Sequence, residues 1–373
     1  MLKINYMLER GVAEGVYPGA VLLISVNGDV VLHESAGYRS FVPEKSPITR
    51  DTIFDLASLT KPLGTSLALM CLVDSKTIGL DQTLSEVLGN ESLGDKADIT
   101  IRSLLNHSGG LKDWKPFYLD LDKIPDNKRK SVLRDLLIRE PLAYEPGTSC
   151  LYSDLGFMIL EWVIESNTGM VLPEYLDRFI YKNLSLEKTF FNIHNQDLTN
   201  KGEVFALTES CPWRGTVING VVHDENAFVV GGYAGHAGLF STAGEVYIIA
   251  DMLMRHYKGK RSDYFRRDII REFFKRQEKI EGCTWALGWD TPSKGISSSG
   301  RYFSRNSVGH LGYSGTSIWM DLERDIIVIF LTNRVHPTRN NQKIKGFRPV
   351  IHNVIIEELR RSGFIRSQGD NNG

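Results

Sequence analysis

Two β-hairpin signals, one near each end of the chain, constrain the fold most. The first is Ala20-Val21-Leu22-Leu23-Ile24-Ser25-Val26, a turn at Asn27-Gly28, and Val30-Val31-Leu32-His33-Glu34. An Asn-Gly pair between β-rich runs is a strong hairpin signal because both residues tolerate positive φ. The second is Thr316 to Asp321, a turn at Leu322-Glu323-Arg324-Asp325, and Ile326 to Thr332. Between them the pattern is mostly helical with long polar loops: Ile101 to Asn106, Lys130 to Arg139, Phe157 to Ser166 and Gly244 to Tyr257. No linker divides the chain and no internal repeat is visible. The expected class is α/β of the α+β kind: a central antiparallel sheet formed from both chain termini, flanking helices, and an inserted mainly helical region. Residues 1–78 and 281–365 would form the sheet region, 79–280 the insert, and 366–373 a flexible polar tail. Short helices are expected over 1–16 and 347–361.

With 373 residues the chain is long enough for a sizeable core. Its 44 basic and 45 acidic side chains leave a net charge of −1. That balance, with no basic patch, speaks against a nucleic-acid partner. Cys71, Cys150, Cys211 and Cys283 match no metal or redox spacing and read as reduced thiols. The first ten residues hold no apolar export segment, and no run is long enough for a membrane span. A cytoplasmic enzyme without metal or cofactor is the expectation, its oligomeric state open.

Ser58-Leu59-Thr60-Lys61 carries the clearest chemistry, ahead of the apolar run Leu67-Ala68-Leu69-Met70. On a helix over about 58–74, positions i and i+3 share a face, so the hydroxyl meets the amine. A serine beside a neutral lysine is a nucleophile beside its base. The pattern is short, and Ser185-Leu186-Glu187-Lys188 also fits it. The plain alternative is a helix cap followed by a surface lysine. Company separates the two copies: Ser58 follows Phe54-Asp55-Leu56-Ala57, while Ser185 lies in a polar stretch without matching partners downstream.

Two further elements follow Ser58 in order. Glu145-Pro146-Gly147-Thr148 precedes Tyr152-Ser153-Asp154, and His310-Leu311-Gly312 stands within Gly309 to Ser317. With Pro18-Gly19-Ala20, Leu104 to Leu111, the Gly-rich Gly231 to Thr242, Leu287-Gly288-Trp289 and Leu331 to Arg334, the set resembles the serine β-lactamase and penicillin-binding-protein superfamily. It is similar to the branch of class C β-lactamases, DD-peptidases, D-aminopeptidases and related carboxylesterases, over about residues 12–360. The resemblance implies that Ser58 is acylated, that Lys61 and Tyr152 form its base, and that the backbone N–H groups of Ser58 and Tyr313 make the oxyanion hole. It implies that His310 and Gly312 flank the substrate from a strand edge.

Two departures bear on substrate. Class C enzymes have Tyr-x-Asn where this chain has Tyr152-Ser153-Asp154. Ionised Asp154 accepts hydrogen bonds but donates none. It would also hold Lys61 charged and leave Tyr152 as the base, which requires tuning a phenol whose ordinary pKa is about 10. Secondly, His310 stands where β-lactamases have lysine, so a permanent cation for a substrate carboxylate is missing. Arg334 or Arg339 would partly replace it, although ordinary surface charge is the preferred reading for both. If neutral His310 is required, activity should fall as pH drops through about 6.5.

Plainer readings suit other features. His223-Asp224-Glu225-Asn226 matches no zinc spacing and is expected to line the cleft wall. His107 is expected to end a helix with local hydrogen bonds, and Trp285, Trp289 and Trp319 to belong to core or cleft wall. Lys112-Asp113-Trp114 either begins a cleft loop or lies remote from it. Loops around 111–130 and 195–225 are expected to set specificity. The leading expectation is a serine hydrolase acting on a small ester or amide, including a peptidoglycan-derived fragment. A true β-lactamase or DD-peptidase is second, and a catalytically silent binding domain third; the partner is in each case a small ester, amide or lactam.

Overall fold

The computed structural model describes residues 1–89, 92–198 and 202–365. The expected tail, 366–373, and residues 199–201 of the expected loop 195–225 lie outside the described residues. The first hairpin forms from β1 (Gly19–Val26) and β2 (Asp29–Ser40), with Asn27 and Gly28 at φ 56° and 88°. β3 (Ser46–Pro47) borders β2, and β4 (Ser307–Leu311), β5 (Ser317–Asp321) and β6 (Ile326–Thr332) come from the other end of the chain. The sheet order is β3-β2-β1-β6-β5-β4, with every neighbour antiparallel. The two ends meet where β1 pairs β6, from Ala20 opposite Thr332 to Val26 opposite Ile326.

Strand alternation sends each side chain to one of two cores. Val21, Leu23, Ile327, Ile329 and Leu331 enter the larger core, whereas Leu22, Ile24, Ile326, Val328 and Phe330 enter the smaller. Continuous apolar runs are what strands covered on both faces require. Each such side chain contributes about 1.5–3 kcal/mol on full burial. The longer helices include α1 (Leu2–Ala13), α2 (Ser66–Asp74), α3 (Asp154–Thr168), α4 (Ala243–Lys258) and α5 (Ile344–Arg361). α1 and α5 cover the smaller core, and α4 packs on β1 and β6 from the other side. The larger core runs without interruption from the sheet into α2 and α3. Among the described residues no single helix is long and apolar enough to cross a membrane.

Two expectations are corrected. The continuous helix over 58–74 is instead a 3₁₀ turn at Ala57–Leu59, a π-type turn at Lys61–Thr65, and then α2. Pro62 has no N–H to offer the carbonyl of Ser58, so regular α geometry is interrupted there. Such wide turns recur at functional sites. Secondly, Cys150 and Cys283 are not reduced thiols: they form a disulfide, their Cα atoms 5.8 Å apart. Nothing in their spacing shows that the two loops meet. Disulfides persist in oxidising compartments, which sets this pair against the cytoplasmic expectation. Cys71 and buried Cys211 are free.

Candidate active site

Ala57, just before Ser58, adopts a left-handed φ of 48°. Asp55 holds the turn: its Oδ1 accepts the Ala57 N–H at 2.8 Å, and its Oδ2 accepts the His223 N–H at 2.7 Å. Leu56 and Leu59 enter the core on either side, leaving Ser58 half-buried at the cleft floor. Lys61 is fully buried, with Nζ 3.2 Å from Ser58 Oγ, 2.6 Å from Asp154 Oδ1 and 3.3 Å from the His236 carbonyl oxygen. Asp154 is the first residue of α3, capped by Ser153. A carboxylate is favoured at that end of a helix.

Burial pushes the Lys61 amine below its ordinary pKa, even against the pull of Asp154. Burial and the Asp154 charge push the Tyr152 hydroxyl well above its ordinary value, although the Ser58 hydroxyl works the other way. Desolvation disfavours whichever form is charged. Tyr152 is therefore a neutral phenol, and Lys61 is the group brought closer to neutrality. The expected pairing of Lys61 with Asp154 is present, but burial works against the Lys61 charge and against Tyr152 as the base.

Tyr152 sits in an aromatic cage. Its ring centroid lies 4.8 Å from His107, 5.5 Å from Trp285 and 6.1 Å from His310. His107 does more than make local bonds, because its Nδ1 accepts the Ser153 N–H at 3.0 Å. His310, on edge strand β4, is 2 % exposed and lies against Tyr152 and Trp285. Its Nδ1 lies 2.9 Å from the Leu311 carbonyl oxygen, and burial with the nearby Lys61 charge lowers its pKa to about 3. His310 is thus a neutral residue beneath the site and outside the cleft lining. Trp289 and Trp319 are core residues.

The turn after β4 is pinned onto the Ser58 turn. Ser314 Oγ donates to the Asp55 carbonyl at 2.8 Å and Thr316 Oγ1 to the Leu56 carbonyl at 3.1 Å. Gly312 makes this approach possible, since a Cβ there would fall 2.0 Å from Thr316 Oγ1 and 2.6 Å from the Leu56 oxygen. The backbone N–H groups of Ser58 and Tyr313 donate to no acceptor among the described residues. Arg334 donates to the Tyr313 carbonyl at 2.8 Å and lies over its ring, while buried Arg348 donates to the Gly315 carbonyl at 3.0 Å. Arg334 is therefore not surface charge: it is 4 % exposed and serves the backbone.

The cleft holds about 390 Å³, within the range of small-molecule sites. Around Ser58, Tyr152 and Asp154 it is lined by Asp113, Trp114, His223, Asp224, Glu225, His236, Tyr313 and Arg339. The loop at Asp113 and Trp114 is thus a cleft loop, tied down by the Asp154 N–H donating to the Asp113 carbonyl at 2.8 Å. Lys112 turns away to Glu140. Arg339 reaches the cleft, but Glu209 (Nε to Oε1, 2.8 Å) and Glu225 (2.6 Å) clamp its guanidinium. No cluster among the described residues has the makings of a metal centre.

Ser185 sits in a left-handed helix-ending position, and Lys188 pairs with Glu203. Neither approaches the cleft lining. Asp55 and Arg348 are site-building residues that the motifs do not mark. An acid inside the apolar run Ile53-Phe54-Asp55-Leu56 is a readable signal for the first. Arg348 lies on a distant helix and carries none.

The geometry agrees with what the chain is similar to. It is 30 % identical over 362 residues to an N-acetylmuramyl-L-alanine amidase of Bacillus subtilis (strain 168), covering 90 % of this chain and 81 % of that protein. It is 29 % identical over 373 residues to an Escherichia coli O157:H7 protein provisionally named D-alanyl-D-alanine carboxypeptidase, covering 91 % and 85 %. Among solved structures, EstCE1, a hydrolase with promiscuous acyltransferase activity, superposes with a TM-score of 0.71 at 22 % identity, over 93 % of this chain and 98 % of that one. The Beta-lactamase family model matches residues 4–348, so the chain belongs to that family and is a hydrolase of the β-lactamase fold.

Proposed function

We propose that the protein is a serine hydrolase working through an acyl-enzyme on Ser58, cleaving a small ester or amide, peptidoglycan-derived fragments included. The observation that carries this reading is the 3.2 Å approach of Ser58 Oγ to the buried Lys61 Nζ at the floor of the cleft. Ser58 Oγ attacks the carbonyl carbon as its proton passes to Lys61. The ammonium so formed is stabilised by Asp154 at 2.6 Å. The carbonyl oxygen becomes an oxyanion and takes the two unclaimed N–H groups, of Ser58 and Tyr313. Tyr152, a neutral phenol whose hydroxyl feels both Ser58 and Asp154, hands a proton to the leaving group and regains one from Lys61. Water then attacks the acyl-enzyme with the same groups acting in reverse. The names carried by the amidase and carboxypeptidase relatives support an amide as substrate.

A fluorophosphonate is expected to leave a mass adduct on Ser58, and Ser58→Ala to lower turnover of an ester by at least ~10³-fold. Ser185→Ala is expected to change nothing. An unmodified Ser58 in folded protein would favour a silent binding domain, and equal losses in the two variants would mean that the nucleophile lies elsewhere.

A further inference from the structure

The cleft's charges do not balance. Arg339 is the cation in its lining, and Glu209 and Glu225 already occupy it. Arg334 spends its donors on the carbonyls of Tyr313, Arg339 and Asn341, and Lys61 is matched by Asp154. Asp113, exposed, and Asp224 remain in the lining without a cationic Lys or Arg partner among the described residues. A substrate carboxylate would enter against these charges.

Asp224 is built to stay ionised. Its Oδ1 accepts the Ala227 N–H at 2.8 Å and lies 3.0 Å from His236 Nε2. Burial opposes the charge, but His236 and the Ala227 N–H overcome it and hold the carboxyl below the ordinary range. Oδ2 makes no hydrogen bond among the described residues. His236, only 1 % exposed yet part of the lining, leaves Nδ1 unpartnered as well. Its carbonyl meets Lys61, which ties this pair to the catalytic floor. Asp224 Oδ2 is thus a carboxylate oxygen in the cleft lining with no donor of its own, and a cationic donor is its complement.

The geometry points to a substrate that carries an ammonium group close to its scissile ester or amide, received by Asp224 with His236 behind it. This rests on the serine-hydrolase reading above. It excludes as preferred substrates those whose handle at that place is a carboxylate.

Methyl esters of D-alanine, L-alanine and 4-aminobutyric acid, each free, N-acetylated and N-succinylated, test it at pH 6.5. For at least one acid the free-amine ester should show a kcat/KM at least ~10-fold above its acetylated form, with the succinylated form lowest. The preference should fade as pH rises through the ester's own amine pKa. Asp224→Asn, which keeps a helix-capping side chain, should shrink the ratio below about 3-fold, with folding checked by thermal melting. Equal rates for the three forms, a preference for the succinylated esters, or an undiminished ratio in Asp224→Asn would each overturn the inference. With a fluorophosphonate adduct on Ser58, such results leave the hydrolase reading intact; without one, both fall.

Discussion

His310 shows how burial rewrites a side chain's chemistry. In the chain it reads as a switch near pH 6.5. Enclosed by Tyr152 and Trp285, it titrates at about 3 and stays neutral through the working range. The kcat/KM profile should therefore be free of any His310 limb between pH 5.5 and 8. An acid limb near 6.5 that disappears in His310→Gln would contradict this. Activity should instead rise with pH as Lys61 loses its proton, at a pKa below the ordinary lysine value. Gly312 makes a second case. Its Cβ would strike the Leu56 carbonyl, so Gly312→Ala should push the Tyr313 N–H away from the oxyanion position. We expect kcat to drop about 10²-fold with KM little changed. A loss confined to KM would show that Gly312 serves binding instead.

Tyr152 is held by a segment rather than by its own bonds. Cys150, two residues before it, is bonded to Cys283, two residues before the Trp285 that packs on its ring. Reduction, or Cys283→Ser, should release both strands of the cage. The expected result is a kcat fall of about 10-fold or more and a stability loss of about 2–4 kcal/mol, read by ester turnover and urea melts with and without dithiothreitol. Unchanged kcat in the reduced enzyme would show that packing alone positions Tyr152. The hairpins were legible in the chain because turn chemistry and β-rich runs are local signals. The helix after Ser58 was legible only in part: its apolar run gives α2, but Pro62 imposes the wide turn before it. The meeting of Cys150 with Cys283 was not legible, because two loops far apart in sequence carry no mark of proximity.

Three histidines spread across the molecule are held neutral by burial. His310 and His352 titrate at about 3, and His107 lies well below its ordinary value, with burial the main cause in each. In the unfolded chain each titrates near ~6.5. Between those values the unfolded state binds protons that the folded state does not, so this stability is complete above pH 6.5 and falls as pH drops toward 3. Urea midpoints should decline steadily from pH 7 to 4, and His352→Gln should flatten the decline. A midpoint independent of pH would count against neutral burial. Ser58, Lys61, Tyr152 and Gly312 stand in the chain in an order readable as acyl-transfer machinery, because reactive residue types and their flanks are local facts. The sheet drawn from both ends follows likewise from local β patterning. The fold settles how charge is distributed among these groups. It buries Lys61, leaves Tyr152 half-buried in the cleft lining and removes His310 from the cleft. It clamps Arg339 between Glu209 and Glu225, and leaves Asp224 in the lining of the cleft that holds Ser58. Desolvation and ion pairing depend on which surfaces meet, and a linear order of residues does not specify that.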